Sequence, residues 1–121
     1  MTLPVRRLAA PNPGPMTLTG TNTWVLPAPG GDVVIDPGPD IPAHLRALQA
    51  QTSPAAVLIT HGHSDHVAAL AALPPDVPVH AADPRIARGT EPISDDRRLR
   101  VAGIAVHAIP TPGHTADSVS F

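Results

Sequence analysis

Ala56-Val57-Leu58-Ile59-Thr60-His61-Gly62-His63-Ser64-Asp65-His66 joins an apolar run to three histidines and an aspartate. A continuous apolar run bounded by turn formers, Val57 to Ile59, predicts a short strand covered on both faces, as in a parallel sheet. The loop behind it holds the densest metal-ligand chemistry in the chain. Imidazole and carboxylate suit zinc and related divalent ions, and a loop leaving a buried strand holds them rigidly. His61 and His63 are two positions apart, so in an extended loop their rings point the same way and can grip one ion. Asp65 and His66 fall at the expected first turn of the next helix, point elsewhere, and can reach a second ion. Two-metal hydrolases space their ions roughly 3.5–4 Å apart. A lone histidine here would read as a polar loop residue, but ligand types this crowded after a buried strand do not. Ser64 reads as a helix N-cap rather than a nucleophile.

Outward from this loop the pattern alternates. Downstream, Val67 to Leu73 predicts a short helix stopped by Pro74-Pro75, and Val79 to Ala81 a strand. Asp83-Pro84 caps a small helical turn ending at Gly89. Leu99 to Val101 and Ile104 to Ile109, joined by Ala102-Gly103, form a hairpin candidate. Pro110-Thr111-Pro112-Gly113-His114 is a rigid loop, and Ser118 to Phe121 begins another strand. Upstream, residues 1–20 read as an irregular Pro/Gly/Thr-rich lead-in. Thr21 to Leu26 and Val33 to Ile35 predict a hairpin across the turn Pro27 to Asp32. Asp36-Pro37-Gly38-Pro39 ends it, and Asp40 as N-cap with Pro42 opens a helix to about Gln51, with Leu45 and Leu48 inward. Strand–helix–strand alternation after a hairpin predicts a mixed α/β sheet, with residues 1–121 forming one domain.

Composition narrows the function. The chain has 121 residues, 42% hydrophobic and 15% charged, which fits a folded domain rather than a disordered tail. Net charge is −2, with eight arginines and no lysine, so nothing in the balance points to nucleic acid. There is no cysteine, which leaves His, Asp and Glu as the strong metal ligands. The Pro-rich start has no apolar signal-peptide core and the longest Ala/Leu run is too short for a bilayer, so a cytoplasmic protein without a membrane partner is expected. Aromatics are 2% against 17 prolines, so the core must come from Val, Ile, Leu and Ala and bury modest area per residue.

His114 stands in Thr111-Pro112-Gly113-His114-Thr115, again after an expected strand. Pro112 and Gly113 impose a fixed turn, which is how a distant ligand is aimed at a preformed site, and His114 supplies a third ligand for the first pair. The other histidines read plainly: His44 on the polar side of its helix, His80 and His107 at surface or satisfied strand positions. Asp117 reads as a loop hydrogen-bonder.

His61-x-His63-x-Asp65-His66 followed by Thr111-Pro112-Gly113-His114 resembles the metallo-β-lactamase superfamily. Val33-Val34-Ile35-Asp36-Pro37-Gly38 resembles its early strand-Asp-x-Gly motif. Residues 12–26, with Gly20-Thr21-Asn22-Thr23-Trp24-Val25-Leu26, are similar to the branch of β-lactamase-like protein 2 and the glyoxalase II-like hydrolases. The resemblance implies the N-terminal half of an αββα sandwich with metals at one sheet edge. It implies that His61, His63 and His114 bind one zinc, that Asp65 and His66 bind a second, and that Asp36 orients a ligand imidazole from behind. A metal-bound hydroxide would attack an ester, thioester or phosphodiester centre, with Asp65 holding or relaying its proton.

The family pattern adds a bridging Asp or Cys and a final His that do not occur before Phe121. The chain is therefore expected to be an N-terminal portion that holds one zinc better than two. A sheet without its covering half would leave an apolar face bare for self-association. A small-molecule substrate is the leading expectation. An RNA-cleaving member, an iron-dependent sulfur dioxygenase and a catalytically incompetent metal-binding fragment are the alternatives.

Overall fold

The computed structural model describes residues 4–15 and 20–121. It contains a five-stranded sheet in the order β1 (Arg6–Ala9), β2 (Asn22–Ala28), β3 (Gly31–Ile35), β4 (Pro54–Leu58), β5 (Val79–His80). β1, β2 and β3 pair antiparallel, whereas β3, β4 and β5 run parallel. Between β3 and β4 the chain crosses over through helix α1 (Pro42–Gln51), and after β4 come the short helix α2 (Ser64–Val67) and a 3-10 segment at Ala68–Ala72. A second sheet, β6 (Arg97–Val101), β7 (Ile104–Pro110) and β8 (Val119–Ser120), is antiparallel throughout. The fold is therefore mixed α/β, as the alternation of the sequence predicts.

β4 is buried on both faces because its neighbours supply an apolar layer on each side. Val57 packs with Val34, Val79 and Leu48 on the helix side. Ala56 and Leu58 pack with Val33, Val101 and Val106 on the side of the second sheet. The alternation of a strand sends adjacent residues to opposite faces, so Val33 and Val34 divide between the two layers in the same way. Each buried Leu or Val contributes roughly 1.5–3 kcal/mol relative to exposure, and these small side chains replace the missing aromatics.

The second sheet is fastened to the first at both ends. At one end Gly30 N–H donates to Ala102 O at 2.8 Å, bringing the β2–β3 and β6–β7 turns together. Ala102 and Gly103 in the latter have φ of +50° and +89°, the positive pair that a two-residue hairpin needs. At the other end Val119 N–H donates to Thr60 O at 2.7 Å. That second bond locks the start of β8 against the histidine loop.

Several expectations are corrected. Within the expected lead-in, Arg6–Ala9 forms strand β1 in register with Asn22–Val25, because the edge of β2 offers free backbone groups that satisfy it. Residues 1–3 and 16–19 of that lead-in lie outside the described residues. β2 runs to Ala28, so the turn is only Pro29-Gly30. Helix α1 is capped by Ile41, not Asp40, with no side-chain cap bond; isoleucine has no oxygen to offer the N–H groups of the first turn, and Pro42 at the first helical position has no N–H to leave unpaired.

The expected helix at 67–73 is a 3-10 segment preceded by α2, and Ser64 lies inside α2, whose N-cap is His63. Residues 83–89 form a single turn, closed on Asp83 O, before Arg88 pairs with Val79. The apolar face expected to lie bare is covered: Val33, Ala56 and Leu58 are 0%, 2% and 1% exposed beneath Val101 and Val106. Among the described residues the large apolar side chains left exposed are Val5, Trp24, Ile109 and Phe121. No helix among the described residues is long and apolar enough to cross a membrane.

Candidate metal centre

The parallel pairing of β3 with β4 sets Ile35 opposite Leu58, so both strands end at one sheet edge. Asp36 follows one and Thr60 follows the other two residues on. Asp36 N–H donates to Leu58 O at 2.9 Å, extending the ladder by one step. The chain then turns sharply, with Asp36 at φ +55°, a left-handed conformation that costs a non-glycine residue energy and needs support from its surroundings.

That turn aims the Asp36 carboxylate inward, where the residue is 4% exposed. Oδ1 accepts Thr60 N–H at 2.8 Å. Oδ2 accepts the Thr60 hydroxyl and, at 2.8 Å, His66 Nδ1–H. The Thr60 hydroxyl has one hydrogen and gives it to Asp36, so at its 3.0 Å contact with His61 Nδ1 it must accept. Both imidazoles thus carry their proton on Nδ1 and present a free Nε2 lone pair. Asp36 sets the tautomer of His66 directly and that of His61 through Thr60.

His61 lies at the hub. Its ring centroid is 4.7 Å from that of His63, 4.2 Å from His66 and 5.0 Å from His114. Ligand atoms of His61, His63 and His114 lie within 4.8 Å of one another, and so do those of Asp36, His61 and His66. The structure therefore brings His114 from the far end of the chain to the first loop. It also places Asp65 beside His66, with Oδ2 at 3.5 Å from Nε2. Asp65 belongs to neither three-residue group. A cavity of about 320 Å³ is lined by His61, His63, Ser64, Asp65, His66 and His114.

The electrostatics follow from these contacts. Burial, reinforced by the neighbouring His66, His63 and His114, holds His61 below the usual histidine range against the pull of Asp36. His66 behaves oppositely: burial lowers it, but the hydrogen bond and charge of Asp36, with Asp65, carry it above that range. Asp65 is held below the usual carboxylate range, because the Thr21 hydroxyl and His66 outweigh its burial. The site therefore favours a charged Asp65 and a neutral His61, the forms in which each can ligate.

Sequence reading overlooked three supports. Thr21 Oγ1–H donates to Asp65 Oδ2 at 2.6 Å, and Asn12 holds Thr21 in turn through bonds of 2.9 and 3.0 Å. Thr60, the bridge between Asp36 and His61, adjoins the motif but carries no ligand chemistry. His44, expected on a polar helix side, is buried at 2% exposure with Nε2 2.7 Å from Pro37 O. The helix turns it toward the sheet because Leu48, one turn on, faces the same layer. His80 is half-buried, and burial alone lowers it. His107 pairs with Asp96 at the surface. Asp117 accepts the Thr115 hydroxyl at 2.6 Å, as a loop hydrogen-bonder does.

The donor set fits a metal. A tetrahedral zinc with bonds of about 2.0–2.1 Å sets its ligand atoms about 3.4 Å apart. The ligand atoms of the three imidazoles lie within 4.8 Å of one another, and His63 and His114 are exposed. Asp65 Oδ2 and His66 Nε2 already stand close to it.

Comparison with known proteins agrees with this geometry. Residues 16–121 match the family model described as the metallo-β-lactamase superfamily. The chain is 35% identical to the lactamase-like protein vrtG of Penicillium aethiopicum, over 97% of this chain and 41% of that protein. It is 33% identical to an atrochrysone carboxyl ACP thioesterase of Aspergillus chevalieri, over 97% and 41%. It is 37% identical to a hydroxyacylglutathione hydrolase of Xylella fastidiosa, over 81% and 40%. The chain thus spans well under half the length of these relatives. Among solved structures, the B3 metallo-β-lactamase BLEG-1 superposes with a TM-score of 0.70 at 26% identity, over 95% of this chain and 65% of that one. A metallo-β-lactamase family protein from Thermus thermophilus gives 0.72 at 18% identity, over 95% and 54%, a likeness of fold. By sequence, fold and the placement of its histidines, this chain belongs to the metallo-β-lactamase superfamily.

Proposed function

We propose that the chain carries the zinc-holding part of a hydrolase that cleaves thioesters or related acyl bonds. The observation that carries this reading is the convergence of His61, His63 and His114 on one point, with His61 and His66 locked by Asp36 in the ligating tautomer. His61, His63 and His114 hold the ion, and Asp65 with His66 offers a second position beside it. A bound ion would supply an acidified water and positive charge for the developing oxyanion. Asp65, ionised and fixed by Thr21, orients the attacking water by accepting its hydrogen. The cavity over the histidines admits a small acyl group. The choice of thioester rests on two relatives, one named a thioesterase and the other a hydroxyacylglutathione hydrolase. Zinc is named because imidazole and carboxylate donors suit it, and the same set accepts iron.

The test is metal analysis of the dialysed protein together with hydrolysis of a hydroxyacylglutathione, each repeated on His61→Ala. Zinc retained and thioester cleaved by the wild type, both lost in the variant, supports the reading. Cleavage that survives the substitution overturns it. A second reading, a metal-binding module without hydrolysis, is favoured by the second position having only Asp65 and His66 for ligands. Bound zinc with no acyl hydrolysis is the outcome that selects it.

A further inference from the structure

We propose that His44, outside the histidine motif and buried under the sheet, is a positioning residue for the metal centre: it clamps the Asp36-Pro37-Gly38 turn and thereby fixes the tautomers of His66 and His61. The inference rests on the reading that these imidazoles ligate a metal.

The geometry runs through backbone atoms. The ring nitrogen His44 Nε2 lies 2.7 Å from Pro37 O, and a carbonyl only accepts, so Nε2 is protonated and donates. Thr23 Oγ1 flanks the same nitrogen at 3.3 Å and donates its own hydrogen to Asp36 O at 2.7 Å. The two carbonyls that follow the strained Asp36 backbone are therefore each held by a buried side chain, Thr23 at 0% exposure and His44 at 2%. Gly38 completes the clamp. A Cβ there would stand 2.4 Å from His44 Nε2, so the ring occupies the space that any other residue would fill. Gly38 also has φ of +100°, and its N–H and C=O bond His66 O and Ala69 N–H at 3.0 and 2.9 Å.

The turn thus touches the metal loop twice, through the Asp36 carboxylate and through the Gly38 backbone. Without a donor on Pro37 O, a buried carbonyl is orphaned and the left-handed Asp36 conformation loses a support. Asp36 then relaxes toward ordinary backbone angles and its carboxylate leaves His66 Nδ1. A histidine serves better than a lysine or an amine because its flat ring fits beside Gly38 while one fixed N–H reaches the carbonyl. Positioning groups behind metal ligands change affinity by about 10–100-fold when lost; His44 acts at one further remove and is assigned about tenfold.

The test uses ¹⁵N NMR of the imidazoles in the metal-free protein and zinc titration against a chromophoric chelator, on the wild type and on His44→Leu, His44→Gln and Leu48→Ala. The wild type is expected to show His44 as the Nε2–H tautomer and His66 as the Nδ1–H tautomer. His44→Leu should mix the His66 tautomers and weaken zinc binding about tenfold. His44→Gln, which can place an amide N–H near the same carbonyl, should restore most of both. Leu48→Ala removes core packing one turn along the same helix and should lower stability while leaving tautomer and affinity unchanged. The proposal fails if His44→Leu keeps the His66 signature, or if Leu48→Ala disturbs it equally. Should His44→Leu not fold, the wild-type spectrum decides, since His44 found as the Nδ1–H tautomer refutes the clamp. A wild type that shows both tautomers and binds no zinc refutes the metal reading and leaves the clamp standing.

Discussion

Asp36→Asn tests the central carboxylate with the smallest change in shape. Asp36 accepts three hydrogens: Thr60 N–H on Oδ1, and the Thr60 hydroxyl and His66 Nδ1–H on Oδ2. An amide has one accepting atom and one donating group, so it cannot serve both sides. If its oxygen stays on Thr60 N–H, its NH₂ faces His66 Nδ1, which must surrender its proton to accept. The proton moves to Nε2 and closes the ligand lone pair. The Thr60 hydroxyl turns as well and donates to His61 Nδ1, which puts His61 in the wrong tautomer too. Loss of a group that orients one ligand costs about 10–100-fold in metal affinity, and with two imidazoles affected we expect about 100-fold, or ~2.8 kcal/mol.

If instead the amide oxygen takes the His66 side, its NH₂ opposes Thr60 N–H in a buried place, which costs about 1–3 kcal/mol of stability. The protein adopts the less costly arrangement, so one of the two losses must appear. Zinc competition titration reads the first and urea unfolding of the metal-free protein reads the second. Zinc affinity within twofold of wild type, with unchanged unfolding free energy, would refute the network.

Other expectations follow from the same contacts. Wild-type protein dialysed against zinc-free buffer should retain one zinc rather than two, because three imidazoles serve the first position and only Asp65 and His66 the second; two tightly held ions by metal analysis contradict this. His66→Ala should keep that ion, whereas His61→Ala should lose it. Leu48→Ala should cost about 2–5 kcal/mol in urea unfolding, since Leu48 is 1% exposed between α1 and the sheet, and a loss under about 1 kcal/mol would mean the helix packs elsewhere. His80 has a folded pKa lowered by burial, so its neutral form is favoured in the fold. Its effect is absent above the unfolded histidine value of about 6.5 and becomes a loss of stability as pH falls below it. His80→Gln should therefore flatten the decline in stability from pH 8 to 5.5, and an unchanged slope refutes that assignment.

Much of the fold is legible in local sequence. Val57 to Ile59 reads as a doubly covered strand because apolar side chains alternate to both faces, and the turn formers around it are local devices. The ligand loop reads with equal clarity, since His61, His63, Asp65 and His66 are close in sequence as well as in space. Errors concentrate where a distant partner decides. Arg6–Ala9 looks irregular alone and becomes a strand only because β2 offers it an edge. Ser64 looks like a cap, but the helix begins one residue earlier, at the position where His63 leaves the loop.

The sequence by itself determined the metal-ligand chemistry, the α/β alternation and the likeness to a family, because each resides in residue types at short spacing. Only the tertiary structure decided which groups stand behind those ligands. Asn12 holds Thr21, which reaches Asp65, Thr60 joins Asp36 to His61, and His44 meets Pro37, all through strand pairings and a crossover helix that no local pattern encodes. A ligand is recognisable by its own chemistry, but a hydrogen bond that orients it depends on where another element happens to end. That is why the histidine loop announces a metal, while the protonation of its rings is set by residues far from it in the chain.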